Sequence, residues 1–233
     1  MSRIPVCRAC LALPEPLSAE FFCVSCRTPF HNGFPLDREG RCAVCRSGLR
    51  GFDAAYSFGA YEGVLRELIH LYKYSRIRTL ARPLAGLLAA ALPRDERFDA
   101  LVPVPLHWRR QWQRGFNQSE LLAREIRRRT GIPVIRVLKR VRSTPSQASL
   151  AQSRRRSNVA TAFQCRRIVW RLHGKRVLLI DDVMTTGSTA ASCAFALKRA
   201  GVARVAILTV ARADRRMDAG HPVAADSMVG GSV

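Results

Sequence analysis

Apolar residues recur at helical spacing over residues 62–74, which predicts an amphipathic helix there. A second helix is predicted over 80–92, and Pro93 ends it. These two segments make up a predicted helical hood over about residues 60–93. The residues that would form the apolar face of the first helix are Val64, Leu65, Leu68, Ile69, Leu71 and Tyr72.

Beyond residue 93 the chain alternates short apolar runs with amphipathic segments. Two more helices are predicted, one over 117–130 with Asn117 as N-cap and one over 188–200 closed by Gly201. Strands that alternate with helices predict an α/β fold with a parallel sheet flanked by helices. The predicted strands cover 99–105, 134–138, 176–181 and 203–211.

Three segments lack this pattern and set the predicted domain boundaries. Residues 1–50 are rich in Cys, Arg, Gly and Pro and too polar to bury a core, so they need a covalent or metal staple. Residues 51–212 carry the α/β pattern, interrupted by a polar, basic loop over 140–158. Residues 213–233 mix charge, Gly and Ser and are predicted to be a disordered tail.

Composition narrows the class of protein. The 233 residues are 48% hydrophobic, which is enough for a full core. The longest apolar run, 84–92, is far shorter than the roughly 18 residues of a membrane span. The first residues lead directly into a polar, Cys-bearing segment without a secretory signal, so a cytoplasmic location is predicted.

The charge is strongly positive and unevenly placed. The formal net charge is +22, and residues 107–176 hold nineteen Lys or Arg against two acids, Glu120 and Glu125. Such a segment attracts polyanions, which include diphosphates, nucleic acids and anionic membrane surfaces.

Six of the eight cysteines form three Cys-x-x-Cys pairs before residue 46. Fifteen residues separate the pair Cys23/Cys26 from the pair Cys42/Cys45, a spacing that suits a four-thiolate zinc ribbon. Cys7 and Cys10 would complete a second zinc site only with two further ligands, for which His31 is one candidate. A redox dithiol is the alternative for any one pair.

The most informative segment is 177–189, VLLIDDVMTTGST. An apolar strand runs into Asp181 and Asp182, and a Thr/Gly/Ser loop then opens a helix. Ligands of open α/β sheets bind beyond the carboxyl ends of the strands. The loop residues Thr185, Thr186, Gly187, Ser188 and Thr189 offer backbone N–H groups, hydroxyls and a helix N-terminus, which together make a phosphate cradle. Two adjacent carboxylates suit a ribose diol and a hard cation bridging to a diphosphate.

This segment resembles the signature of the type I phosphoribosyltransferases. An ordinary strand–turn–helix leaves the paired acids unexplained, and a receiver domain carries such a pair on its first strand and lacks the TTGST loop. In 6-oxopurine transferases an acid stands at the position of Thr185, so the resemblance argues against a hypoxanthine- or guanine-type acceptor.

Three upstream motifs are similar to the ComF family, in which a zinc ribbon is coupled to a phosphoribosyltransferase domain. They are LIHLYKY at 68–74, VPVPLHWRRQWQRGFNQ at 102–118 and RSTPSQASLAQSRRRSN at 142–158. The similarity runs from Cys7 to about Arg212. It implies a diphosphate loop over 103–118 and a flexible closing loop over 140–158. The implied diphosphate-loop residues are Pro105, His107, Arg109, Arg110, Arg114, Asn117 and Gln118. Those of the flexible loop are Arg142, Gln147, Arg155 and Asn158.

Two hypotheses about function follow. In the first, the protein is a Mg²⁺-dependent enzyme that binds 5-phosphoribosyl-1-diphosphate (phosphoribosyl diphosphate), with its 5′-phosphate on 185–189 and its ribose hydroxyls on the catalytic acids Asp181 and Asp182. In the second, it is an accessory protein that binds single-stranded DNA and uses the fold as a ligand-sensing or structural module. Trp108 and Trp112 would then stack on bases among the arginines. The family resemblance links both to DNA uptake and competence proteins.

Overall fold

The computed structural model describes residues 5–30, 32–48, 51–106, 112, 114–141 and 162–212 of the chain. The strands in this part are β1 (Phe21–Phe22), β2 (Pro29–Phe30), β3 (Ala54–Ala60), β4 (Ala100–Pro103), β5 (Leu138–Arg140), β6 (Phe163–Cys165), β7 (Arg176–Met184) and β8 (Arg204–Arg212). The helices are α1 (Arg8–Ala12), α2 (Ala43–Arg46), α3 (Gly63–Tyr74), α4 (Ala81–Ala90), α5 (Gln118–Thr130) and α6 (Ser188–Arg199). Short 3-10 helices cover Arg78–Leu80 and Arg167–Leu172.

Four strands form one parallel sheet in the order β3-β8-β7-β4. The inner strands β7 and β8 pair along their whole length, from Arg176 opposite Arg204 to Met184 opposite Arg212. An inner parallel strand is covered on both faces, which explains why residues 177–180 of β7 are all apolar and fully buried. The predicted α/β fold with a parallel sheet flanked by helices is confirmed.

Each face of the sheet has its own core because side chains of β7 alternate between the faces. Leu178 and Ile180 pack with the hood helices α3 and α4 and with α5. Val177 and Leu179 belong to the opposite core, which contains the inner side of α6 and the buried cysteines 23, 26 and 42. The cysteine segment therefore packs against the sheet rather than standing apart from it.

The four predicted helices are present within a few residues of their predicted ends. Asn117 caps α5, because its Oδ1 accepts from the backbone N–H of Ser119 at 3.1 Å. Gly131 follows the helix with φ of 75°, a left-handed conformation that favours glycine. Among the described residues, no helix is both long and apolar enough to cross a membrane.

The predicted strand 134–138 is wrong over most of its length. Val134 makes a single parallel bridge to Leu101, after which the chain leaves the edge of the sheet. It enters β5 only at Leu138, which pairs antiparallel with Cys165 of β6. Arg140 therefore lies in β5 and not in the predicted loop. Residues 142–158 of that loop, and the whole predicted tail 213–233, lie outside the described residues.

The pattern also fails to predict β3, which pairs with β8 at the edge of the sheet. Its sequence, AAYSFGA, has no β-branched residue and no alternation of apolar and polar positions. Pairing with β8 overrides this weak local preference.

Candidate functional site at the carboxyl edge of the sheet

The Thr/Gly/Ser loop lies where β7 ends and α6 begins. Gly187 precedes the first helical residue, Ser188, and has φ of 77°. A residue with a Cβ would adopt this left-handed conformation only with strain. Thr185 and Thr186 are exposed at the edge of the sheet. The Oγ atoms of Thr186 and Ser188 are 2.8 Å apart, so these hydroxyls converge at the start of a twelve-residue helix. This arrangement can receive a phosphate.

The two acids lie on β7, separated from the loop by Val183 and Met184. Asp181 Oδ1 accepts two hydrogen bonds, from Ser119 Oγ at 2.9 Å and from the backbone N–H of Asp182 at 2.9 Å. Asp182 is 7% exposed. Ser119 lies in the first turn of α5, so the helix that follows the predicted diphosphate loop helps to orient the acid pair.

Lys73 completes the acid cluster, and it is the residue that sequence reasoning missed. Its Nζ lies 2.8 Å from Asp182 Oδ1, and the two side chains are 13% and 10% exposed. The sequence signal that could have identified Lys73 is its position on the predicted helix. Lys73 stands four residues after the fully buried Ile69, on the apolar face of α3, where an unpaired lysine is very rare.

The surroundings shift the pKa of two of these groups. Burial and the negative charge of Asp182 raise the pKa of Asp181 to about 7, although Lys73 and the Ser119 hydrogen bond act in the opposite direction. Burial lowers the pKa of Lys73, but the Asp182 carboxylate outweighs it, and the net pKa is raised. Lys73 is therefore a permanent cation at neutral pH.

The start and end of the predicted diphosphate loop lie beside these acids. The backbone N–H of Val104, next to Pro105, donates to Ile180 O at 3.0 Å, which places the end of β4 beside the residue that precedes the two acids of β7. Asn117 Nδ2 donates to Val104 O at 3.1 Å and so ties the two ends of the loop together. His107, Arg109 and Arg110 lie outside the described residues, as do Arg142, Gln147, Arg155 and Asn158 of the predicted flexible loop.

Gln118 and Arg114 occupy different environments. Gln118 is 1% exposed, and its Oε1 accepts from Arg114 Nη1 at 3.3 Å. Arg114 places its guanidinium 5.1 Å from the centre of the Tyr74 ring. Gln118 thus supports the site from within, whereas Arg114 brings a positive charge near its surface.

A second cluster lies on the opposite face of the sheet. The sulfur atoms of Cys23, Cys26, Cys42 and Cys45 all lie within 4.8 Å of one another. Hydrogen bonds among them hold the pKa of Cys23 far below its ordinary value, whereas those of Cys42 and Cys45 are raised. Four thiolates this close together repel one another unless a cation lies between them. The cluster therefore suits a metal ion with tetrahedral coordination. Three are buried and Cys45 is half-buried.

Cys7 and Cys10 do not belong to this group. Cys7 is exposed and precedes α1, and its Sγ accepts from the backbone N–H of Cys10 at 3.3 Å. Among the described residues no further His, Cys, Asp or Glu joins them in a group of three or more potential ligands. His31 lies outside the described residues.

The sequence of the chain is similar to those of known proteins. Competence protein F of Haemophilus influenzae is 30% identical to the chain over 83% of the chain and 97% of its own length. The chain belongs to the ComF family. The phosphoribosyl transferase domain family matches residues 114–230, which include the acids and the TTGST loop.

Other relatives extend the comparison. DNA utilization protein YhgH of Salmonella typhimurium is 32% identical over 84% of this ComF-family chain and 99% of its own length. Among solved structures, glutamine phosphoribosylpyrophosphate amidotransferase from B. subtilis is 22% identical with a TM-score of 0.40. That match covers 56% of this chain and 26% of the amidotransferase.

Proposed function

We propose that this ComF-family protein binds 5-phosphoribosyl-1-diphosphate with Mg²⁺ and transfers the phosphoribosyl group to an acceptor nucleophile. The observation that supports this most strongly is the juxtaposition of the Asp181–Asp182 pair with the TTGST loop at one edge of the sheet, within a phosphoribosyl transferase domain. The acids match the ribose hydroxyls of this donor, and the loop matches its 5′-phosphate.

Each part of the site has a proposed role. Residues 185–189 bind the 5′-phosphate through backbone N–H groups and hydroxyls. Asp181 and Asp182 accept from the ribose hydroxyls with the oxygens that protein contacts leave available. Arg114 contributes positive charge toward the diphosphate, and Mg²⁺ would offset the charge that develops on this leaving group.

The reaction breaks the bond between C1 of the ribose and the diphosphate oxygen and forms a bond from C1 to the acceptor. The bonding electrons leave with diphosphate, and the acceptor loses a proton to solvent or to a nearby base. With the ribose fixed by two acids and its phosphate by the loop, the protein contributes mainly positioning and electrostatic stabilisation.

A structural metal completes the proposal. Cys23, Cys26, Cys42 and Cys45 would hold one Zn²⁺ as a closed four-thiolate site. The backbone N–H of Cys42 donates to Cys23 Sγ at 3.3 Å, a bond that favours the thiolate form required of a ligand. The cytoplasmic location inferred from the sequence remains a prediction.

The direct test is an assay of diphosphate release from the donor, with a panel of nitrogen nucleophiles as acceptors. We expect release that depends on both Mg²⁺ and one class of acceptor. Purified, zinc-loaded protein that neither binds the donor nor releases diphosphate with any acceptor would contradict the proposal.

A second candidate function is binding of single-stranded DNA, which one observation favours. Trp112 is 84% exposed within the strongly basic segment, where bases can stack on its indole. The relatives named for competence and DNA utilization are consistent with a role in DNA uptake.

We expect Trp112→Ala to weaken binding of single-stranded DNA by roughly 1–3 kcal/mol, and we expect DNA affinity to fall as the salt concentration rises. Phe34→Ala, which removes an exposed aromatic ring outside the basic segment, is the control. DNA affinity that neither salt nor Trp112→Ala changes would contradict this second function.

A further inference from the structure

The last turn of α3 contacts three separate parts of the proposed donor site through three consecutive residues. Tyr72 donates from its hydroxyl to the backbone carbonyl of Gln118 at 2.8 Å. Lys73 pairs with Asp182 at 2.8 Å, and the Tyr74 ring faces Arg114. The hood helix is thus joined to both the acid pair and the end of the diphosphate loop.

Lys73 differs from the other two because it brings a charge into the acid pair. With both carboxylates ionised, the cluster of Lys73, Asp181 and Asp182 has a net charge of minus one rather than minus two. The two side chains of the Lys73–Asp182 pair are largely buried, so solvent screens their interaction weakly. A divalent cation that approached these acids would meet an ammonium group already in contact with one of them.

One oxygen of each acid already has a partner in the protein. Asp182 Oδ1 contacts the ammonium, and Asp181 Oδ1 accepts two hydrogen bonds. Mg²⁺ requires a nearly ideal octahedron of oxygens and gives up its water reluctantly. With an ammonium group in contact with Asp182 and one oxygen of each acid engaged, this carboxylate pair does not fit a metal ion bound directly by the protein. The two remaining oxygens can still accept hydrogen bonds from hydroxyl groups.

We propose that Lys73 takes the place of a divalent cation beside Asp182. As a positioning residue it fixes the Asp182 carboxylate, and its charge keeps metal ions off the acid pair of the free protein. The metal ion then enters only with an anionic donor, whose own oxygens bind it. This last step rests on the proposed function, but the exclusion of metal from the free site does not.

The test is a titration of donor-free, zinc-loaded protein with Mn²⁺, followed by electron paramagnetic resonance. We expect no Mn²⁺ site at the acid pair in the wild type, in Lys73→Arg or in the control Lys175→Met, which removes an exposed lysine. Lys73→Met should gain one Mn²⁺ site, at least roughly tenfold tighter than any Mn²⁺ binding that the wild type shows at the acid pair, because the repelling charge is gone. The additional change Asp182→Asn should abolish that site.

Thermal unfolding gives a second readout. Mn²⁺ should raise the Tm of Lys73→Met and leave that of the wild type unchanged. If Lys73→Met does not fold, Lys73→Gln removes the charge while it keeps a hydrogen-bond donor toward Asp182. Wild-type protein that binds Mn²⁺ at the acid pair as tightly as the uncharged variants would overturn the inference.

Calorimetry with the donor and Mg²⁺ separates this inference from the proposed function. Loss of donor affinity in Lys73→Met, restored in part by Lys73→Arg, would support the positioning role. Wild-type protein that binds no donor contradicts the proposed function, while the Mn²⁺ titration still decides the role of Lys73. If the wild type binds the donor but Lys73→Met gains no Mn²⁺ site, the inference is overturned and the proposed function stands.

Discussion

Arg212, the last residue of β8, donates from Nη1 to the backbone carbonyl of Cys26 at 2.7 Å. Its Nη2 donates to Thr28 Oγ1 at 2.5 Å, and that hydroxyl lies 2.8 Å from Cys26 Sγ. Arg212 is 3% exposed and Thr28 is fully buried. The arginine therefore links an inner strand of the sheet to the turn that carries two of the clustered cysteines.

Replacing Arg212 by Met should destabilise the whole chain and loosen the cysteine cluster. The Cys26 carbonyl and the Thr28 hydroxyl lose buried donors, which costs roughly 1–3 kcal/mol. Urea unfolding should show this loss, together with faster release of zinc to a chelator. Arg94→Met, which removes an exposed arginine, serves as the control. Equal zinc release from both variants would show that Arg212 does not support the cluster.

The metal content can be measured directly. We expect about one Zn²⁺ per chain by elemental analysis, lost in Cys23→Ser and in Cys42→Ser and accompanied by unfolding of the N-terminal segment. Cys7→Ser should retain the metal, because Cys7 lies outside the cluster of four sulfurs. Purified protein without zinc would contradict the assignment, and a content near two would mean that Cys7 and Cys10 also bind metal.

Much of this site could be predicted because its determinants are local in sequence. The apolar run of β7, the acids that follow it and the TTGST loop occupy thirteen consecutive residues, and their order along the chain fixes their order in space. The four clustered cysteines could also be predicted, because two Cys-x-x-Cys turns at this spacing have few other arrangements in a segment without a core.

The contacts that could not be predicted are those between segments distant in sequence. Lys73 and Asp182 meet because α3 packs across the sheet, and no local pattern specifies which acid faces the lysine. The Arg212–Cys26 bond likewise depends on how the N-terminal segment docks on the sheet. Strand β3 was not predicted for a similar reason. It is a strand because it pairs with β8, and its own sequence does not favour one.

The raised pKa of Asp181 makes stability depend on pH. Because this pKa is about 7 in the folded protein and its ordinary value is 3.8, the folded state binds a proton more tightly than the unfolded state does. Asp181 should therefore lower the free energy of unfolding as pH rises from about 4 to about 7, by at most about 1.4 kcal/mol per pH unit. Urea titrations of the wild type and Asp181→Asn check this. An identical pH dependence in both proteins would refute it.

Gly187 should be needed for phosphate binding. Ala at this position strains the backbone at φ of 77° and disturbs the start of α6, so we expect weaker binding of the donor. Gly174→Ala is the matched control, because Gly174 has φ of 67° in the turn before β7 and imposes similar strain elsewhere. Equilibrium binding of the donor measures both variants. Similar losses in the two would indicate a general effect on stability.

The most direct test of the proposed donor site is calorimetry of 5-phosphoribosyl-1-diphosphate with Mg²⁺. Asp181→Asn combined with Asp182→Asn removes the charge of both acids while nearly preserving their shape. Circular dichroism and zinc content should confirm that this variant folds, and Asp95→Asn removes an exposed acid as the control. We expect the wild type and Asp95→Asn to bind the donor and the double variant to lose binding. Unchanged donor affinity in the double variant would show that the acids at the end of β7 do not bind the ribose.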